Sequence, residues 1–138
     1  MDLKRLILAI VVGYVVLVGL AYVIHGVWLQ PVYEQYASVW RLREAMLQKL
    51  WIMWVGQLIF TVMFAWIYTR GIENKPWMGQ GLRYGVAMTL LAVVPAALSE
   101  YVVYPIPYTL ALEWIVGGAV QVMVLALIVA GFCQKPAR

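Results

Sequence analysis

The chain has 138 residues, 65% of them hydrophobic and only 12% charged, and its mean hydropathy is +0.87. Soluble domains are about 45–50% apolar and about 25% charged, so this composition excludes a soluble domain and predicts an integral membrane protein. The net charge is +4. The basic residues stand at the ends of apolar segments, a pattern typical of membrane topology and lipid headgroup contact rather than of nucleic-acid binding. We therefore expect the lipid bilayer as a partner and no nucleic acid.

The first apolar segment covers about residues 6–28 and follows Lys4 and Arg5. A signal peptide also begins in this way, but its apolar region is about 7–15 residues long and ends at a small-residue cleavage site, which is missing here. We predict a transmembrane helix. Residues 31–47 carry apolar side chains at roughly helical spacing among charged ones, which predicts a short amphipathic helix in the membrane interface. An ordered loop packed over the bundle is the alternative.

Three further apolar segments cover about residues 50–69, 84–104 and 109–132. A polar connector with several glycines, residues 70–83, separates the second from the third, and a Tyr-Pro-Ile-Pro turn separates the third from the fourth. The single cysteine, Cys133, excludes an internal disulfide. The predicted fold is an all-α, integral membrane four-helix bundle, a single transmembrane domain over residues 1–138, with a short amphipathic interfacial helix between spans 1 and 2.

The distribution of Lys and Arg predicts the orientation. Seven basic residues fall on one side of the predicted membrane and three on the other: Lys4, Arg5, Arg70, Lys75, Arg83, Lys135 and Arg138 against Arg41, Arg43 and Lys49. Cytoplasmic loops carry the excess of Lys and Arg. Both termini and the connector are therefore expected in the cytoplasm, and the interfacial helix and the Pro105–Pro107 turn on the outside.

Polar residues of the four spans recur at similar depth. Each of the side chains His25, Gln57, Glu100 and Glu113 lies one or two helical turns below the predicted outer end of its span. If the polar faces of all four helices point inward, these residues form one layer in the outer half of the bundle. Gln121 shares a helix face with Glu113, and Tyr101, Tyr104 and Trp114 lie near the same level. The ligand-binding candidates are His25, Gln57, Glu100, Glu113, Gln121, Tyr101 and Tyr104.

Two interpretations of the acids stay open. Intramembrane carboxylates often serve proton or cation paths, but Glu100 and Glu113 could also reach the outer interface or bond to Tyr and Trp. One His with two carboxylates is an accepted ligand set for iron or zinc, so His25, Glu100 and Glu113 are metal candidates. However, the usual short-range ligand spacing is absent, and an ion pair or hydrogen bond of His25 with a glutamate is the alternative. No catalytic motif is present, and no cofactor is predicted.

Small residues line one face of span 3 and part of span 4, including Gly81-x-x-x-Gly85 and Gly117-Gly118. Such faces allow close helix contact, either with a second chain or inside this one. The first functional hypothesis is therefore a non-enzymatic structural or accessory protein that acts in a homo-oligomer or a larger membrane complex. The second is a binder or carrier of a small apolar ligand, a proton or a cation. A membrane enzyme with a metal at His25 is the third.

Four short runs resemble small bacterial inner-membrane proteins of unknown function. They are Gly81-Leu82-Arg83-Tyr84-Gly85, Pro95-Ala96-Ala97-Leu98, Tyr104-Pro105-Ile106-Pro107 and Trp114-Ile115-Val116-Gly117-Gly118-Ala119-Val120-Gln121. The resemblance covers mainly residues 81–132. It implies a four-helix architecture and a location in the cell inner membrane, and it supplies no activity or functional residue.

Overall fold

The computed structural model describes residues 2–134, and every regular element in this range is helical. In chain order the α-helices are α1 (Leu3–Ala21), α2 (Gln30–Gln35), α3 (Arg43–Leu47), α4 (Leu50–Arg70), α5 (Trp77–Met88), α6 (Val94–Val103) and α7 (Tyr108–Cys133). Two π-helical segments, Tyr22–Trp28 and Thr89–Val93, continue α1 and join α5 to α6, and a 3-10 turn covers Ala37–Val39.

Four continuous helical stretches are long and apolar enough to cross a membrane. They are Leu3–Trp28, Arg43–Arg70, Trp77–Val103 and Tyr108–Cys133. The prediction of an all-helical chain with four long apolar helices is therefore confirmed. The basic tail residues Lys135 and Arg138, which entered the orientation argument, lie outside the described residues.

Two helical segments of the structure differ from the predicted bounds. The third long helix begins at Trp77 instead of residue 84, so the connector is only residues 71–76. Gly81 lies inside this helix, where its missing side chain allows α7 to pack closely. An added Cβ would stand 2.9 Å from the Cβ of Ala130. The predicted interfacial helix over residues 31–47 is instead three short helical pieces, because Tyr36 leaves helical geometry and Trp40 is extended.

Both π-helical segments end with a backbone hydrogen bond to the carbonyl five residues back. The backbone N–H of Leu29 bonds to the carbonyl of Ile24 over 2.8 Å, five residues back instead of four. The N–H of Val94 likewise bonds to the carbonyl of Thr89. Pro95 follows at once and has no N–H to continue the α-helical ladder. The irregularity before Pro95 is thus a π-helical turn that ends where α6 begins.

The main hydrophobic core lies around the C-terminal half of α7. Its largest fully buried side chains include Phe64 and Tyr68 of α4 and Leu125 and Val129 of α7. A second, smaller core at the other end of the molecule joins Ile24, Leu29, Ile106 and Leu110, and Trp40 packs against it. The short segment after the first long helix therefore packs over the ends of the helices. This arrangement resembles the alternative prediction of an ordered loop more than a single amphipathic helix.

Two buried glutamines hold the connector of residues 71–76 at the opposite end. Gln134 accepts a hydrogen bond from the hydroxyl of Tyr68 over 2.8 Å and donates to the backbone carbonyls of Glu73 and Lys75. Gln80 donates to the carbonyl of Gly71 and accepts from the N–H of Glu73. The connector and the C-terminal end of α7 consequently share one end of the molecule, and Arg5 and Leu8 of α1 lie beside Trp77 and Gly131 at the same end.

Candidate functional site

A cavity of about 280 Å³ opens at the end of the molecule that carries the second core. Its polar wall consists of His25, Tyr33, Glu100, Trp114 and Gln121, and its small apolar wall consists of Val93, Ala96, Ala97 and Gly118. Side chains from the first long helix, α2, α6 and α7 thus meet at one place. Ligand sites are typically concave, mostly apolar and equipped with a few convergent polar groups, as this cavity is.

Both π-helical segments contribute to the cavity wall. His25 lies in the Tyr22–Trp28 segment, and Val93 ends the Thr89–Val93 segment. One extra residue per turn rotates the following side chains relative to a regular α-helix, and such turns occur frequently at functional sites. The backbone is therefore irregular where the two helices face the same cavity.

Three aromatic side chains form a hydrogen-bonded chain along the wall. The indole Nε1 of Trp114 donates to the phenolic oxygen of Tyr33 over 2.7 Å, and this oxygen lies 2.6 Å from Nδ1 of His25. Indole can only donate, so the hydroxyl proton of Tyr33 remains available for Nδ1 of His25. Nδ1 accepts this proton in the neutral tautomer of His25 that carries its own proton on Nε2. The imidazole and phenol rings are also stacked, with centroids 6.1 Å apart.

Tyr33 remains a neutral hydrogen-bond donor over a wide pH range. Burial raises the pKa of Tyr33 to about 12, the hydrogen bond from Trp114 opposes this rise, and the charges of Glu100 and Glu113 add to it. Desolvation and nearby negative charge both disfavour the phenolate.

Glu100 brings an exposed carboxyl group without a protein partner among residues 2–134 to the cavity. Its carboxylate makes no ion pair and no hydrogen bond with any side chain among residues 2–134, where the ion pairs all involve Asp2 or Glu73. Glu100 also lies in the last turn of α6, where the helix dipole disfavours an anion. The carboxylate therefore depends on water or on a cation for its stabilisation.

The remaining candidate residues have other positions. Glu113 is half-buried and Gln57 lies on α4, and neither lines the cavity. The predicted layer of four polar residues is thus divided, because only His25 and Glu100 of the four share the cavity. Gln121 lines it and also donates over 3.4 Å to the carbonyl of Leu17. Tyr101 and Tyr104 are exposed and lie off the cavity wall, and Tyr104 packs against Trp40.

The metal hypothesis required His25, Glu100 and Glu113 to converge. Within the described range of residues 2–134, no group of three His, Cys, Asp or Glu side chains is close enough to hold a metal ion. Only His25 and Glu100 of the three line the cavity. The chemistry of the site is therefore that of one carboxylate among aromatic and amide groups.

Sequence reasoning missed Tyr33, the residue at the centre of the site. Its signal was weak, since Tyr33 follows His25 by eight residues and precedes a break in the helix. Trp114 was expected near the level of the polar layer, but its bond to Tyr33 spans 81 residues and leaves no local pattern.

Comparisons with protein-family models, with curated proteins and with solved structures give no match. The resemblance to small bacterial inner-membrane proteins therefore stays a prediction.

Proposed function

We propose that this protein is a non-enzymatic, multi-pass protein of the bacterial inner membrane that binds or carries a small organic cation in the cavity around Glu100. The observation that carries the proposal is the carboxylate of Glu100, which lines the cavity without an ion-pair or hydrogen-bond partner among residues 2–134. At the depth predicted for Glu100 in the membrane, a charge is costly unless it is compensated, and a bound cation compensates it.

The aromatic wall supports an organic cation in particular. Trp114 and Tyr33 line the cavity, and the faces of aromatic rings attract ammonium groups, most strongly when the site is desolvated. Gln121 and the Nε2 of His25 can bond to polar atoms of the same ligand. The small side chains of Ala96, Ala97 and Gly118 leave space in the cavity for the ligand.

The proposed orientation has both termini in the cytoplasm and the cavity open to the outside. Five Lys and Arg of the described chain lie at the end with the N-terminus and the connector: Lys4, Arg5, Arg70, Lys75 and Arg83. The other end carries three: Arg41, Arg43 and Lys49. The excess supports a cytoplasmic position for the first end.

The hypothesis of an accessory protein that acts through helix contacts has less support. It required small-residue faces left free for a partner. Gly81 and Gly85 pack against α7 instead, and Gly117 and Gly118 pack against Ile24 and Val93 of the same chain. These residues therefore serve contacts within one chain, which leaves the cavity as the stronger basis for a function.

Binding of tetramethylammonium to the purified protein in a non-ionic detergent tests the proposal. Trp114 reports binding through tryptophan fluorescence, and a Trp114→Phe variant identifies its share of the signal. We expect saturable binding that weakens by at least roughly tenfold in Glu100→Gln, a loss of about 1.4 kcal/mol. Glu113→Gln is the matched control, since Glu113 does not line the cavity. Equal affinity of Glu100→Gln and the wild type contradicts the proposal. Counterflow in proteoliposomes then distinguishes a carrier from a binder.

A further inference from the structure

A second cavity, of about 390 Å³, lies at the opposite end of the molecule from Glu100. It is bounded by Arg5 and Leu8 of α1, by Trp77 at the start of α5, and by Gly131 and Phe132 of α7. Gln134 closes one side, and its side chain is already committed to Tyr68 and the connector. The cavity plays no part in the site described above.

Charge and apolar surface are separated within this cavity. Among residues 2–134, Arg5 supplies the only charged side chain of the lining, while Leu8, Trp77 and Phe132 supply apolar surface. Leu8 is 52% exposed, so its side chain extends the apolar wall of the cavity onto the outer surface of α1. Trp77 stands at the helix end, where tryptophans favour the boundary between hydrocarbon and headgroups.

Arg5 is available for an anion. Its Nε lies 3.6 Å from a carboxylate oxygen of Asp2, with side chains that are 43% and 51% exposed. An ion pair so open to solvent contributes little. The remaining guanidinium N–H groups suit a phosphate oxygen pair. The surrounding field is also positive, because Glu73 is engaged by Lys75 and Arg83, while Lys4 and Arg70 form no ion pair among residues 2–134.

We propose that this cavity is a binding site for an anionic phospholipid, with the headgroup phosphate at Arg5 and the start of an acyl chain along Leu8 and Trp77. Basic pockets between helices at the cytoplasmic side are suited to such headgroups. The apolar wall continues from the cavity along α1 and can contact an acyl chain. It therefore favours a lipid over a free phosphate, which has no apolar part to contact it.

Binding of phosphatidylglycerol to the full chain in a non-ionic detergent, measured by native mass spectrometry, tests this site. We expect phosphatidylglycerol to bind more tightly than phosphatidylcholine of the same chains, and inorganic phosphate to show no saturable binding. Arg5→Gln should lose roughly fivefold in affinity for phosphatidylglycerol, the equivalent of about 1 kcal/mol for one basic residue. Lys4→Gln is the matched control, since it removes the same charge from the neighbouring residue, which does not line the cavity.

A variant that fills the cavity gives a second test. Leu8→Trp replaces an exposed side chain and should reduce phosphatidylglycerol binding with little effect on the core. Equal losses in Arg5→Gln and Lys4→Gln would overturn the site in favour of a diffuse positive field. Saturable binding of inorganic phosphate as tight as that of phosphatidylglycerol would overturn the lipid as its occupant. Because this cavity lies at the other end of the molecule, neither result bears on cation binding at Glu100.

Discussion

Trp114 and Tyr33 are joined by a hydrogen bond of 2.7 Å between the indole Nε1 and the phenolic oxygen, although 81 residues separate them in the chain. The bond connects α7 to the short helix α2, which follows the first long helix. Tyr33 in turn lies 2.6 Å from Nδ1 of His25. One hydroxyl group therefore positions two of the polar groups that face the cavity.

The first prediction concerns Tyr33→Phe. The substitution removes the shared partner of Nε1 of Trp114, which is half-buried, and of Nδ1 of His25, which is exposed. Loss of such a hydrogen bond costs about 0.5–1.5 kcal/mol. We expect a corresponding loss in the free energy of unfolding in detergent and weaker cation binding. Tyr36→Phe is the control, because the hydroxyl of Tyr36 has no hydrogen bond with the described residues. Equal effects of the two substitutions would contradict the role assigned to Tyr33.

The second prediction is a loss of stability at alkaline pH. Burial raises the pKa of Tyr33 from 10.0 to about 12 in the folded protein. Between these values the unfolded chain releases the phenolic proton while the folded chain keeps it, so the unfolded state binds fewer protons and stability falls as pH rises. This contribution is fully present below pH 10 and is lost through pH 12. Thermal midpoints over pH 9–12 should fall less steeply in Tyr33→Phe than in the wild type. Identical slopes would show that Tyr33 does not contribute.

The third prediction separates two glycines on the same helix. An added Cβ at Gly81 would stand 2.9 Å from the Cβ of Ala130 and 3.3 Å from the carbonyl oxygen of Ala126, whereas Gly79 has no atom within 4 Å. Overpacking costs about 1–3 kcal/mol, so Gly81→Ala should lower the free energy of unfolding by about this amount. Gly79→Ala should be neutral or stabilising by up to about 1 kcal/mol, since alanine favours helix. The reverse order of stabilities would contradict the close contact of α5 with α7.

The fourth prediction concerns Gln134, which is buried and bonds to Tyr68, Glu73 and Lys75. Gln134→Leu should release the connector of residues 71–76 and expose it to a glutamate-specific endoprotease at the Glu73–Asn74 bond. Limited proteolysis in detergent measures the rate of cleavage there, and we expect it to rise. Gln35→Leu provides the control, because Gln35 is exposed and makes no side-chain hydrogen bond with the described residues. An unchanged cleavage rate would argue against a clamp at Gln134.

The long helices were predictable because their signal is local. Apolar runs such as residues 109–132 differ from α7 (Tyr108–Cys133) by one residue at each end. The start at Trp77 was missed because Gly79 and Gly81 read as connector residues, and only the contact of Gly81 with Ala130 explains a glycine there. A close contact between distant segments is not visible in a single sequence.

The candidate site was predictable only in part, because helical spacing is a local signal and the contacts between distant segments are not. Helical spacing and depth brought out His25, Glu100 and Gln121, which line the cavity, but also Gln57 and Glu113, which do not. Depth was estimated for regular α-helices, whereas the π-helical segments rotate the residues that follow them. Tyr33 enters the site through a break at the end of the first long helix, which periodicity does not describe.

Labelling of an introduced cysteine tests the central claim most directly, namely that the cavity opens outward and favours cations. Ala96→Cys places a thiol on the exposed cavity wall, in a Cys133→Ser background that removes the single native cysteine. In intact cells, a membrane-impermeant cationic methanethiosulfonate should react roughly tenfold faster than its anionic counterpart, because a negative site concentrates cations. Glu100→Gln should abolish this preference, and tetramethylammonium should slow the reaction. Equal rates for both reagents, or no reaction from outside, would contradict the account.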